Sequence, residues 1–204
     1  TGALLVCSDM YVIDGEGKVK ADSITKVRRH HKFLSGENLT ESLLFRNFVT
    51  GCTMLIRAEV AKQAVPFCPY MVHDHYLALF VSLYGSIRSL SQPLIKYRIH
   101  GGNQTGVLIG ISSKESYLKI QIEQEMNGLL WLYEKLKFPS DLRELISQEI
   151  LWYQARQKNW MGEKGFKRII WKYRKFAVKS SIFELIISHL SPSAFNMLVQ
   201  VKKF

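Results

Sequence analysis

Cysteine is scarce in this chain: only Cys7, Cys52 and Cys68 occur among 204 residues. The number is odd and no CxxC pair is present, which argues against a zinc knuckle and a secreted disulfide framework. All three stand in apolar surroundings and are expected as buried, reduced thiols. No apolar run reaches about 18 residues, so no helix is expected to span a bilayer. The most apolar late stretch, Ser181 to Leu190, is short and contains Glu184. The opening residues lack the basic-then-apolar order of a secretory signal. The chain starts at Thr1 without Met and enters an apolar strand almost at once, so it is expected to be a piece of a longer protein. Acidic residues are outnumbered, 17 against 28 Lys and Arg, leaving a net charge of +11.

What is present is ample apolar material. At 47% hydrophobic the chain can bury a real core, which excludes wholesale disorder. Leu4 to Ile13 predicts a strand ending in the turn Asp14-Gly15-Glu16-Gly17, with Lys18 to Lys20 returning as a short second strand. Residues 21–38 are expected as a loop, and Thr40 to Phe45 as a short helix. Phe48 to Ile56 is a β-rich run interrupted by Gly51. Arg57 to Val65 has helical spacing and stops at Pro66. His73 to Tyr84 predicts a buried helix with Gly85 as its stop signal. Ile87 to Ile99 reads as one or two strands around Pro93, followed by the glycine-rich loop 101–106.

Beyond about residue 111 strand signals vanish. Ser112 is expected to cap a helix through Leu136, with Glu115 completing the box. A second helix is expected from Pro139 or Ser140 to Trp160. A third, basic one runs from Glu163 to Ser180, and shorter helices follow Ser191-Pro192. The expected fold class is therefore α/β, with a mixed part over residues 1–110 and a helical, basic region over 111–204.

Two clusters can carry chemistry. His73-Asp74-His75 opens a helix, where the dipole favours an ionised carboxylate. Asp74 is either a general base for an incoming hydroxyl or a plain helix cap. His73 and His75 are two apart, so on a helix they do not share a face. Tyr97-Arg98-Ile99-His100-Gly101-Gly102-Asn103 ends a strand and enters a loop. There Arg98 and His100 share a face and suit a diphosphate or a metal–diphosphate; a surface arginine beside a turn is the simpler account. Thr50-Gly51-Cys52-Thr53 alone reads as a strand bulge.

The order of these segments adds meaning. Asn47 to Arg57, Ala64 to Phe67, His73 to Leu79, Gly85 to Arg88, Gln92 to Gly101 and Asn103 follow one another with gaps that resemble the acceptor-side half of family-2 glycosyltransferases of GT-A fold. The rhamnosyltransferase-like bacterial enzymes are the nearest in kind, and Cys7-Ser8-Asp9 through Gly17 resembles the strand and turn that precede this block. The resemblance covers about residues 3–106. It implies a partial GT-A sheet and inverting transfer of a sugar from a nucleotide-diphosphate donor to an acceptor hydroxyl, in cell-surface polysaccharide synthesis. It implies Asp74 as catalytic base, with Thr50, Gly51, Cys52, His73, Arg98 and Asn103 binding substrate and His100 as a metal ligand. A divalent cation, Mg²⁺ or Mn²⁺, would neutralise the departing diphosphate in the full-length enzyme. The family's acidic DxD-type motif is absent from this chain. The stretch is therefore expected to be the C-terminal part of an enzyme, inactive alone and holding no metal by itself.

The expected partners are a nucleotide-sugar donor and a glycan or lipid-linked acceptor. The expected location is the cytoplasm, or the inner face of the plasma membrane. Arg156 to Lys179 carries nine basic residues against Glu163 alone. Phe166, Ile169, Ile170, Tyr173 and Phe176 recur near one face, as in a helix lying on an anionic membrane surface, or in one packed on its own domain. No nucleic-acid module accompanies the charge. A non-catalytic glycan- or membrane-binding module is the alternative to the enzyme.

Overall fold

The apolar run at the start of the chain forms β1 (Leu5–Ile13), on which a four-stranded mixed sheet is built. The structure, a computed structural model, describes residues 2–28, 31–100 and 110–201. It is mixed α/β and divides into two compact units, one within residues 1–105 and one within 106–204.

In the first unit β2 (Val19–Ala21) pairs antiparallel with the end of β1, at Val12 and Ile13. β3 (Met54–Ile56) pairs antiparallel with its start, at Leu5 to Cys7. β4 (Ile87–Arg98) runs parallel to the whole of β1, from Leu5 opposite Ile87 to Ile13 opposite Arg98. A strand has two edges, and β4 occupies one of them throughout. β2 and β3 therefore share the other edge, at its two ends. Every residue of β1 except Val6 and Tyr11 is buried, as expected of a strand covered on both faces. The β1–β4 register slips at Asp9, which lies opposite Pro93 between Ser8–Leu90 and Met10–Ile95. Proline has no N–H to give a ladder, and the slip falls where it stands. Buried Asp9 accepts from the amides of Met10 (2.7 Å) and Ile24 (3.1 Å), tying the start of α1 (Ile24–Val27) to the sheet.

α2 (Thr40–Phe45) and α3 (Ala58–Gln63) follow the sequence expectation. The run Phe48 to Ile56 does not form one strand: residues 51–53 make a 3₁₀ turn and only Met54–Ile56 pairs. α4 (His73–Tyr84) is buried without a break from Tyr76 to Ser82, as suits a helix that is apolar all round. Gly85 ends it, but in an extended conformation, φ 174°. Its glycine is needed for space: a Cβ there would lie 2.7 Å from Leu4 Cδ1. Cys7 and Cys68 are buried as expected, whereas Cys52 is exposed.

The second unit is helical. Ser113, rather than Ser112, caps α5 (Lys114–Tyr117), and Ser116 rather than Glu115 completes the capping box. A π-helical turn over Leu118–Glu123 leads into α6 (Gln124–Lys135), and α7 (Ser140–Trp160) follows. The expected single basic helix is broken into α8 (Lys167–Lys172), a 3₁₀ turn at Arg174–Phe176 and α9 (Val178–Ile187); α10 (Pro192–Val201) closes the described chain. At the break Phe166, Tyr173 and Phe176 pack with Trp152, Ala155 and fully buried Ile170. Among the described residues no helix is long and apolar enough to cross a membrane.

α7 and α9 are joined by buried polar pairs. Trp152 Nε1 donates to Ser181 Oγ (3.2 Å), Arg156 Nε to Glu184 Oε2 (2.8 Å) and Asn159 Nδ2 to Ser188 Oγ (3.1 Å). Arg156 Nη2 completes a two-pronged grip on Glu184 and also donates to the Gln121 carbonyl in the π-helical turn (3.2 Å). Tyr117 donates to the same carboxylate at 2.8 Å. Removing one partner would leave an uncompensated buried charge, so Arg156→Ala is expected to cost about 3–5 kcal/mol in a denaturant titration.

Glu149, 6% exposed, has an Oε2 with no hydrogen-bond partner. Burial, and then the charge of Glu125, push its carboxyl up to about 8, with Arg156 opposing. The unfolded chain loses this proton near 4.5, the folded chain near 8. Between these values the unfolded state binds fewer protons, so this group's contribution falls as pH rises and levels off above 8. Glu149→Gln is expected to stabilise the protein by about 3 kcal/mol at pH 7, with the gain disappearing near pH 4. Paired melting curves across that range check it.

Candidate active site

The start of α4 has no polar N-cap, since Val72 stands there. Asp74 nevertheless does not cap its own helix. Its Oδ2 accepts from the backbone amide of Gly51 (2.9 Å) and its Oδ1 from Asn47 Nδ2 (3.1 Å). Asn47 is itself oriented, because its Oδ1 accepts from the amide of Val49 (2.9 Å). The turn at Gly51 is closed by Thr53, whose amide and hydroxyl both donate to the Thr50 carbonyl at 2.9 Å. The interruption of the Phe48–Ile56 run now has its reason: the Gly51 amide turns to a carboxylate instead of a sheet partner.

His73 is exposed and lies against the same turn. A Cβ on Gly51 would come within 2.8 Å of His73 Nε2 and 3.6 Å of Asp74 Cβ. A side chain at position 51 would require the exposed His73 ring to turn away. Cys52 is exposed beside them. Its partial burial, then the charge of Asp74, push its thiol up, so it stays protonated and is no nucleophile. His75 faces away: its Nε2–H donates to the Leu43 carbonyl (2.6 Å), and burial lowers its pKa, so it ties α4 to α2 as a neutral ring.

Chemically, the site presents a half-buried carboxylate with one donor on each oxygen. Two donors leave further lone pairs for an incoming hydroxyl proton. The structure thus brings together Thr50, Gly51, Cys52, His73 and Asp74. It adds Asn47, whose only sequence signal was its place at the head of the same segment. Arg98 is elsewhere. Its Nη1 donates to the carbonyls of Asp14 (2.8 Å) and Gly15 (2.6 Å), holding the turn that follows β1. His100 is exposed just past the end of β4, and Asn103 lies outside the described residues. The β1–β4 pairing puts Arg98 beside Ile13, at the C-terminal end of both strands. The turn at Gly51 precedes Met54, opposite Cys7, and so extends toward that same end, where open α/β sheets place ligands.

Among the described residues no three His, Cys, Asp or Glu side chains gather as a metal site. His100 by itself does not make one, and a divalent ion would need ligands beyond those described. No family model, no curated protein and no solved structure matches this chain.

The hydrogen bonds of Asp74 make a substitution there informative. Both of its oxygens face donors, so Asp74→Asn must turn its NH₂ against either Gly51 N–H or the Asn47 amide. The expected loss is about 1–3 kcal/mol. The exchanged pair Asn47→Asp with Asp74→Asn restores an acceptor opposite the new donor and is expected to recover most of it. A double-mutant cycle by thermal unfolding checks the coupling.

Proposed function

We propose that this chain is the acceptor-side part of an inverting glycosyltransferase, acting in polysaccharide synthesis on a glycan or lipid-linked acceptor at the inner face of the plasma membrane. The observation that carries the reading is the Asp74 carboxylate, held by Gly51 and Asn47 at the start of α4 with exposed His73 beside it. The segment order resembling family-2 enzymes of GT-A fold agrees with it, as does the four-stranded mixed sheet.

In this reading the acceptor hydroxyl approaches the open side of Asp74. Its proton passes to the carboxylate as its oxygen bonds to the anomeric carbon of the donor sugar. The carbon–oxygen bond to the diphosphate breaks from the opposite face, and the nucleoside diphosphate leaves with the electron pair. Configuration inverts because one displacement occurs. Gly51 and Asn47 hold the carboxylate in place, which lowers the reorganisation needed at the moment of proton transfer. His73, on the rim, is placed to touch the acceptor. Arg98 positions the turn after β1 and, with His100, leads the chain toward the nucleotide. A divalent cation, held by ligands outside the described residues with His100 as one candidate from this chain, would neutralise charge at the diphosphate in the full-length enzyme.

The test uses the full-length enzyme carrying an upstream DxD-type motif. Asp74→Asn, assayed well below its melting temperature, is expected to lower turnover by about 10²–10⁴-fold while nucleotide binding is retained. Turnover within a few-fold of wild type would remove Asp74 as the base. Full activity of an enzyme lacking any upstream acidic motif would be equally damaging to the reading.

A further inference from the structure

α9 turns polar side chains inward beside Phe183, Leu185 and Ile187. Its inner face carries Ser181, Glu184 and Ser188, bonded to Trp152, Arg156 and Asn159 of α7. Its outer face carries Val178, Ile182 and Ile186, spaced by four and 49%, 43% and 69% exposed. A helix whose polar side is held inside leaves an aliphatic stripe in contact with water, and such stripes mark an interaction surface. Through the short turn at Arg174–Phe176 it joins α8, whose outer side bears half-exposed Trp171. The five-residue stripe expected from sequence is not this surface: Phe166, Ile170, Tyr173 and Phe176 are packed inward, and of that set only Ile169 is exposed.

The charge around the stripe selects its occupant. Of the nine cations between Arg156 and Lys179, Arg156 is buried on Glu184, Lys158 meets Glu163 at 3.4 Å, Arg174 bonds the Trp171 carbonyl and Lys175 reaches Gln148. Lys164, Lys167, Arg168, Lys172 and Lys179 remain, all exposed and without an acidic partner among the described residues. An exposed tryptophan and aliphatic side chains on two consecutive helices that also expose lysine and arginine match the two layers of an anionic bilayer, headgroups outside and acyl chains within.

We propose that the outer faces of α8 and α9 dock on an anionic membrane, with Trp171, Ile182 and Ile186 entering the headgroup–acyl boundary and Lys167, Arg168, Lys172 and Lys179 contacting lipid phosphates. The docking involves the second unit alone and does not rest on Asp74. Its readout is lipid binding, so its failure would leave the glycosyl-transfer reading untouched.

The whole 204-residue chain is mixed with vesicles of phosphatidylcholine alone or with phosphatidylglycerol, at low and high salt. Co-sedimentation is expected only with the anionic lipid and is expected to fall with salt. Each cation near such a surface contributes about fivefold, so changing Lys167, Arg168, Lys172 and Lys179 to Gln is expected to weaken binding by roughly two to three orders of magnitude. Ile182→Ser with Ile186→Ser, both at exposed positions, is expected to weaken binding while the far-ultraviolet circular dichroism is unchanged. Brominated lipid is expected to quench tryptophan emission in the wild-type chain and much less in Trp171→Phe, since Trp152 and Trp160 are buried and half-buried Trp131 lies on α6, outside the proposed docking face. No binding to anionic vesicles at low salt would overturn the proposal. So would binding indifferent to the Ile182 and Ile186 changes, or a self-associated chain that loses association, and never binds lipid, when those two positions are changed.

Discussion

The backbone amide of Gly51 has no partner in the sheet, and the carboxylate of Asp74 supplies one. A buried or half-buried N–H without an acceptor is costly, so this bond constrains everything around it. It ends the apolar run before β3 and draws the first turn of α4 onto the Gly51–Thr53 turn, with the His73 ring lying against position 51. Asn47 then takes the other carboxylate oxygen, and Val49 fixes Asn47. The outcome is a carboxylate whose direction is set by one backbone and one side-chain donor rather than by its own helix. Held this way, the anion ties the start of α4 to the turn at Gly51.

In the second unit the corresponding constraint is Glu184. Burying a carboxylate requires a cation and further donors, and here Arg156 and Tyr117 supply them. This requirement turns the polar side of α9 inward. Val178, Ile182 and Ile186 are left facing outward, on a segment that also exposes cations without acidic partners among the described residues, while Phe183, Leu185 and Ile187 join the cores. An apparently unfavourable surface is thus the direct consequence of a satisfied interior.

Legibility differed between the two units for one reason. In the first, strand and helix limits follow from local signals: alternating or continuous apolar runs, Asp14-Gly15, and Gly85. Asp74, Gly51 and His73 stood out because few polar residues sit at the ends of such runs. Asn47 did not, because an asparagine ahead of an apolar run is commonplace; its role depends on a partner 27 residues away. Gly85 is a helix stop signal in the sequence, and what lies against it is Leu4, distant in sequence.

The sequence by itself determined the α/β character, most element limits, the excess of positive charge and the residues capable of acid–base work. These depend on period, composition and side-chain chemistry within a few neighbouring residues. Tertiary structure alone decided that Arg98 holds the turn at Asp14, that the basic segment breaks into two helices, and which apolar stripe remains outside. A helical pattern names a face but not its neighbour. Ile170 and Ile186 are both isoleucines at helical spacing, and only the packing of Trp152 and the burial of Glu184 place one at 0% and the other at 69% exposure.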